Sequence, residues 1–88
     1  MKVLVDRSFE RDVKHLPQPL QAKIKSTIEA ILQASSLATL QATKMEGARN
    51  AYRIRIGDYR IGFYLEGEVI ILSRALNRKE IYRYFPKK

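Results

Sequence analysis

Hydrophobic positions in the first half of the chain recur mainly at helical spacing. A short strand is predicted over residues 2–6, where Val3 and Val5 share one face. Up to about His15, apolar residues then recur at spacings of four and three, which predicts a first helix. Two prolines break that helix and open a second one, whose apolar positions keep helical spacing to about Ser35. Together these patterns predict a helical hairpin with one apolar side.

The period changes from helical to alternating in the second half. Residues 52–56 alternate strictly between apolar and basic side chains, as a half-buried strand does. Gly57-Asp58 is a two-residue turn signal, and a second strand follows over residues 59–65. Another turn at Glu66-Gly67 leads into a third strand over residues 69–76. The segment before them, residues 36–50, has no clear period and is predicted to be mostly loop.

The end of the chain carries a helix signal. Asn77 resembles an N-cap, and Glu80 three residues later completes a capping-box pattern ahead of a short helix over residues 81–85. The predicted order is β-α-α-β-β-β-α in a single domain spanning residues 1–88. The fold class is α+β, with the helical hairpin packed on a mainly antiparallel four-stranded sheet.

A two-residue turn would place arginines opposite one another in the first predicted β-hairpin. Arg55 would pair with Arg60, and Arg53 would lie on the same face, away from the helices. Like charges directly opposite each other destabilise a ladder, so a sequence that tolerates them favours an anion at that face. The alternative is a basic face that is simply solvated.

The register of the third strand stays open at this point. A two-residue loop at Glu66-Gly67 would place Ser73 opposite Arg60 and send Arg74 to the other face. A three-residue loop that includes Glu68 would instead bring Arg74 beside Arg60.

Arg78 and Tyr82 are four residues apart and are expected on one side of the terminal helix. That helix could fold over the basic face and bring a phenol near the guanidinium groups, although Tyr82 could also seal the core. Tyr84 and Phe85 are expected to pack, and His15 is expected to be structural or solvent-exposed.

Composition narrows the function classes. The 88 residues include no cysteine and one histidine, which excludes disulfide scaffolds, cysteine nucleophiles and multi-histidine zinc sites. No apolar run is long enough to span a bilayer, and the start lacks the apolar centre of a signal peptide, so secretion is not expected. Neither a metal nor another cofactor is predicted.

Charge points to a polyanion partner. Seventeen basic and nine acidic residues give a net charge of +8. Seven of the nine arginines and all five tyrosines lie after residue 44. Because the guanidinium group of arginine can form two parallel hydrogen bonds to a phosphate, the second half is predicted to form the functional surface.

Three segments of the chain carry recognisable motifs: Lys44-Met45-Glu46-Gly47, Tyr52-Arg53-Ile54-Arg55-Ile56-Gly57-Asp58-Tyr59-Arg60-Ile61 and Asn77-Arg78-Lys79-Glu80-Ile81-Tyr82. These segments resemble the RelE/ParE toxin superfamily, and the resemblance covers essentially the whole chain. The resemblance implies a toxin of a type II toxin–antitoxin module that enters the ribosomal A site and cuts mRNA. It also implies a cognate antitoxin protein as partner, besides the ribosome and mRNA, and a cytoplasmic location.

The resemblance also assigns roles to residues. Arg55, Arg60, Arg78 and Tyr82 match catalytic positions, and the RNA-binding candidates are Arg53, Arg55, Arg74 and Lys79. Arginine replaces the lysine that is usual at positions 53 and 55, and asparagine stands at position 77 where many relatives have histidine. Guanidinium does not deprotonate in proteins, so Tyr82 is the remaining candidate for proton transfer or base stacking.

Three functions are therefore compatible with the sequence. The first is a ribosome-dependent endoribonuclease toxin, which the pair Arg78 and Tyr82 favours. The second is a ParE-like toxin that poisons DNA gyrase by binding, without hydrolysis. The third is a non-catalytic domain that binds nucleic acid or an antitoxin.

Overall fold

The order of elements in the computed structural model, which describes residues 1–86, follows the predicted one with one addition. A short strand, β2, lies in the segment expected to be loop, after a 3-10 turn at Leu37–Leu40. The sheet therefore has five strands rather than four, in the order β1-β5-β4-β3-β2. Only the β1–β5 pair is parallel. The bounds are β1 Lys2–Val5, α1 Arg7–Lys14, α2 Gln18–Gln33, β2 Thr43–Lys44, β3 Ala51–Ile56, β4 Tyr59–Glu66, β5 Val69–Asn77 and α3 Ile81–Tyr84.

The helical hairpin forms as predicted and packs on one face of the sheet. Pro17 precedes α2, and the Gln21 side chain donates to the carbonyls of Val13 and Leu16 at 2.9 and 3.0 Å, which ties the two helices together. The buried helical residues Phe9, Ile24 and Ile31 belong to the main core. Within residues 1–86, no helix is long and apolar enough to cross a membrane.

The β3–β4 hairpin has the predicted register. Arg55 lies opposite Arg60, and Ile54 lies opposite Ile61. Gly57 has φ +59° in the turn, a conformation that glycine adopts without steric cost. The apolar side chains of both strands face the helices, and this face of the hairpin is formed by Tyr52, Ile54, Ile56, Ile61, Phe63 and Leu65.

A second, smaller core covers one end of the opposite face of the sheet. Its buried members are Met45, Ala51, Ile81 and Phe85, so α3 and the loop before β3 meet there. That face is therefore apolar at one end and basic at the other. The periodic pattern of the strands predicted the basic end only.

Neither expected register of β5 is correct, because the loop lies one residue later than either expectation requires and the strand contains a β-bulge. The loop is Gly67-Glu68, and the pairing shifts between Gly62 and Phe63 so that Leu76 lies opposite Arg60. Leu72 and Ala75 are both buried in the main core although they are three residues apart. Strict alternation cannot place both on one face, so an extra residue is inserted between them.

The predicted capping box at the terminal helix is wrong. The Asn77 side chain accepts a hydrogen bond from the Lys79 backbone N–H at 2.9 Å, two residues on, and α3 has no side-chain cap. Phe85 is buried as expected, but Tyr84 is 48% exposed rather than packed. His15 is exposed, within the expectation for it.

Candidate functional site

Three arginines lie together on the sheet face that the helical hairpin leaves uncovered. Arg53 and Arg55 project from β3, and Arg60 projects from β4 directly opposite Arg55. Arg60 is only 8% exposed, Arg53 is half-buried and Arg55 is exposed. The structure thus brings together the three residues that the alternating pattern placed on one face.

Arg60 is held by the hairpin turn next to it. Its Nη1 donates to the carbonyl oxygens of Gly57 and Tyr59, both at 2.9 Å. Its Nε and Nη2 have no hydrogen-bond partner within residues 1–86. One end of the guanidinium is therefore fixed, and the other is free to bind an anion.

The pKa of Arg60 shows how concentrated the charge is. Burial lowers this pKa from its ordinary value, and Arg55 and Arg53 lower it further by repulsion. Arg78 lowers it as well, whereas Tyr82 raises it. These five side chains therefore share one electrostatic environment, and we call Arg53, Arg55, Arg60 and Arg78 the arginine cluster.

Within residues 1–86, no carboxylate forms an ion pair with the arginine cluster. In the part of the chain that the structure describes, the side-chain ion pairs are Arg74 with Asp12 and Arg83 with Glu80. The cluster is thus an uncompensated set of guanidinium groups, which have the geometry to fork onto phosphate oxygens.

Arg53 combines a tyrosine contact with an unsatisfied donor. Its Nη1 donates to the hydroxyl of Tyr82, and its Cζ lies 5.4 Å from the centre of the Tyr82 ring. Its Nε is buried and has no hydrogen-bond partner within residues 1–86. An unpaired buried donor costs about 1–3 kcal/mol, so a ligand oxygen that accepted this bond would recover that cost.

Arg78 lies before the terminal helix and not on it. Its backbone N–H donates to the Asp58 carbonyl at 2.8 Å, which ties the turn after β5 to the β3–β4 turn. The expectation that Arg78 and Tyr82 share one side of a helix is therefore wrong, but both act on the pKa of Arg60, which Arg78 lowers and Tyr82 raises. Tyr82 is 58% exposed and is accessible to a ligand.

Arg74 does not join the cluster. Its Nε and Nη2 donate to the two carboxylate oxygens of Asp12 at 2.7 and 3.1 Å. The hydrogen bond to Asp12 is the main reason why the pKa of Arg74 is raised from its ordinary value. Lys79 is exposed, and no contact joins its side chain to the cluster within residues 1–86.

Comparison with known proteins identifies the family. A family model described as ParE toxin of type II toxin-antitoxin system, parDE, matches residues 3–82. The chain is 46% identical to Toxin RelE3 of Methanocaldococcus jannaschii over 88 residues, which is 98% of this chain and 100% of the relative. The chain belongs to the RelE/ParE toxin superfamily. This identity over the full length of the relative makes it a RelE-type toxin.

Solved structures agree with this assignment. The RelB–RelE antitoxin–toxin complex from Methanococcus jannaschii matches with a TM-score of 0.79 and 42% identity, covering 94% of this chain and 99% of that chain. The isolated Escherichia coli RelE toxin has a TM-score of 0.70 at 16% identity, covering 93% and 90%, and shows the shared fold.

Within residues 1–86, the candidate site presents guanidinium groups and the phenol of Tyr82. Within residues 1–86, no group of three histidine, cysteine, aspartate or glutamate side chains could hold a metal ion. The cluster can bind phosphate and stabilise added negative charge, and Tyr82 can donate a proton or stack on a base.

The sequence did not predict a role for Asp12, because its partner Arg74 is 62 residues away along the chain. The one available signal was an isolated carboxylate on the first helix.

Proposed function

We propose that this RelE-type toxin is a ribosome-dependent endoribonuclease that cuts mRNA in the ribosomal A site and so inhibits translation. The observation that carries the proposal is the arginine cluster, with no neutralising carboxylate within residues 1–86 and with Tyr82 at its edge. Its positive charge and its guanidinium groups suit the phosphate backbone of RNA.

The proposed reaction is a transfer within the RNA chain. The ribose 2′-oxygen attacks the adjacent phosphorus, and the bond from phosphorus to the 5′-oxygen of the next nucleotide breaks. The products are a 2′,3′-cyclic phosphate and a 5′-hydroxyl. One proton leaves the 2′-hydroxyl, and one proton is taken up by the departing 5′-oxygen.

Arg60 and Arg78 take the role of stabilising the extra negative charge on phosphorus in the transition state. Arg60 suits this role because Nη1 is fixed by two carbonyls while Nε and Nη2 remain available. Donors that are already oriented need no reorganisation when charge develops. Arg53 and Arg55 bind the RNA phosphates. The positive charge of Arg55 also stabilises negative charge on the reacting phosphate.

The same residues explain a need for the ribosome. Within residues 1–86, Tyr82 is the one side chain other than an arginine that shifts the pKa of Arg60, and no histidine or carboxylate among these residues does so. We therefore assign no histidine or carboxylate to the removal of the 2′-proton. Positioning must therefore supply much of the rate, and an mRNA held in line by the ribosome would supply it.

We infer that a cognate antitoxin covers this toxin in the cytoplasm, where its ribosomal target is. The Methanococcus jannaschii relative was crystallised as an antitoxin–toxin complex. Masking is also the direct way to silence an exposed cluster of arginines, either by acidic side chains or by displacement of the terminal helix from it.

Translation with purified ribosomes tests the proposal. Adding wild-type toxin should produce new mRNA ends within codons at the A site, and the same mRNA without ribosomes should be cut far more slowly. A matched control is Arg83→Gln, which removes an arginine of the terminal helix that lies outside the cluster, 68% exposed in its side chain.

Gyrase poisoning is the alternative, because the matching family model is that of the ParE toxins. Intact mRNA together with stalled gyrase–DNA complexes would support this alternative and reject the ribonuclease. If neither effect is observed, the remaining candidate is a domain that binds nucleic acid or an antitoxin without catalysis.

A further inference from the structure

Three residues form a straight row across the sheet beneath the terminal helix. Arg53 on β3 lies opposite Gly62 on β4, and Gly62 lies opposite Arg74 on β5. Each member of the row contacts a different aromatic side chain at the end of the chain. The row therefore acts as a platform on which α3 is placed.

Gly62 is the middle of this platform and receives Phe85. A Cβ added at Gly62 would lie 2.6–2.8 Å from three atoms of the Phe85 ring, which is closer than real Cβ contacts come. Phe85 is 2% exposed, and its ring centre lies 4.9 Å from that of Tyr64. The ring thus packs directly on the backbone of β4.

The two outer members of the row are arginines that meet tyrosines. The Cζ of Arg53 lies 5.4 Å from the Tyr82 ring centre, and the Cζ of Arg74 lies 5.4 Å from the Tyr84 ring centre. Guanidinium groups are attracted to the faces of aromatic rings at such distances. Both contacts hold the same four-residue helix.

Arg74 is itself held from the other side by α1. The Asp12 carboxylate accepts two hydrogen bonds from Arg74 and a third from the backbone N–H of Ala75 at 2.9 Å. Ala75 follows the β-bulge, where the ladder is interrupted. Asp12 therefore fixes both the guanidinium and the backbone of β5 just before the chain turns toward α3.

We propose that Asp12 and Arg74 are positioning residues, which act through Tyr84 to hold the terminal helix so that Tyr82 stays at Arg53. This inference rests on the proposed function in one respect, the catalytic use of Tyr82. A helix of four residues has little stability of its own, so its docking contacts decide where the Tyr82 hydroxyl lies.

The variant Asp12→Asn distinguishes two roles for Arg74, an RNA contact and a residue that positions the helix, because the two roles predict opposite results. If Arg74 contacted RNA, removal of the Asp12 charge would free a guanidinium and tighten RNA binding. If Arg74 positions the helix, the same change loosens α3, and cleavage becomes slower although the protein gains positive charge.

Hydrogen exchange of the free toxin and single-turnover cleavage on ribosomes together test this. In Asp12→Asn, amide exchange in residues 81–85 should accelerate about tenfold or more, the effect of losing one charge-assisted hydrogen bond. The maximal cleavage rate should fall by about the same factor while the half-saturating ribosome concentration stays within about twofold. Exchange in the centre of β4 should not change.

Two further variants keep the test decisive if Asp12→Asn is unstable. Tyr84→Leu removes the half-exposed ring that contacts Arg74, and it should reproduce the faster exchange and slower cleavage. Arg74→Lys keeps the charge but not the planar fork, so it should behave like Asp12→Asn rather than like wild type. Arg83→Gln is the control and should match wild type in both measurements.

The outcomes separate this proposal from the proposed function. Folded Asp12→Asn and Tyr84→Leu variants with wild-type exchange in residues 81–85 would overturn the positioning role. Tighter ribosome binding by Asp12→Asn would overturn it in favour of an RNA contact. If wild type cuts no mRNA, the ribonuclease is rejected, and the exchange data still decide whether Asp12 and Arg74 hold the helix.

Discussion

Replacing Arg55 by glutamine should make the free toxin more stable and less active. Arg55 lies directly opposite Arg60 across the β3–β4 ladder, and no carboxylate within residues 1–86 pairs with either of them. Like charges in this position destabilise a sheet by about 0.2–1 kcal/mol, so removing one should raise the free energy of unfolding by that amount. Arg55 is exposed and makes no hydrogen bond that the change would break in the described chain.

Urea denaturation measures this gain. For a domain of this size the free energy of unfolding falls by roughly 1 kcal/mol per molar urea, so the midpoint should rise by about 0.2–1 M. The gain should shrink when salt is raised from about 0.1 M to about 1 M, because the screening length falls from about 10 Å to about 3 Å.

The gain should not depend on pH in the neutral range. The folded-state pKa of Arg60 is lowered, with Arg55 the largest cause after burial, so the charged form costs stability at every pH below that pKa. This cost in stability would be relieved only as the pH rises through the folded-state pKa of Arg60. Because guanidinium groups stay protonated in proteins, about pH 6 and about pH 8 both lie well below that point.

Arg55→Lys is the matched control, since it keeps the charge and should unfold at the wild-type midpoint. A glutamine variant that is no more stable than the lysine variant at low salt would refute the repulsion argument. A gain that persists unchanged at high salt would show that its cause is something other than charge.

Four other predictions concern the site and its partner. Arg60→Ala should lower the slope of log affinity against log salt for ribosome binding by about one unit, and an unchanged slope would remove Arg60 from the anion site. Arg78→Ala should slow mRNA cleavage about 10²–10³-fold while circular dichroism stays native. Tyr82→Phe keeps the ring, so cleavage at the wild-type rate would limit Tyr82 to stacking. Binding of antitoxin should raise hydrogen exchange in residues 78–85, and protection equal to that of free toxin would favour direct charge masking instead.

Local signals predicted the parts of the fold that depend on local geometry. The turn at Gly57-Asp58 and the strict alternation around it are enough to specify a hairpin register, and the structure has Arg55 opposite Arg60 as predicted. The helical hairpin was predictable in the same way, because proline marks its turn and the apolar spacing marks its buried side.

The remaining features depend on contacts between distant residues. The bulge in β5 shifts its register, and the one sign of it in the sequence is that Leu72 and Ala75 are three apart. Strand β2 has two residues, too few to show a period. Arg74 was predicted to bind RNA because nothing in the sequence indicates that Asp12, far away on α1, forms an ion pair with it.

The chemistry of the mRNA ends made on purified ribosomes tests the proposed ribonuclease activity most directly. We expect A-site cuts that carry a 2′,3′-cyclic phosphate on one fragment and a 5′-hydroxyl on the other, and we expect Arg60→Ala to lose them. Fragments with a 3′-hydroxyl and a 5′-phosphate, or intact mRNA at toxin concentrations that saturate the ribosomes, would contradict it.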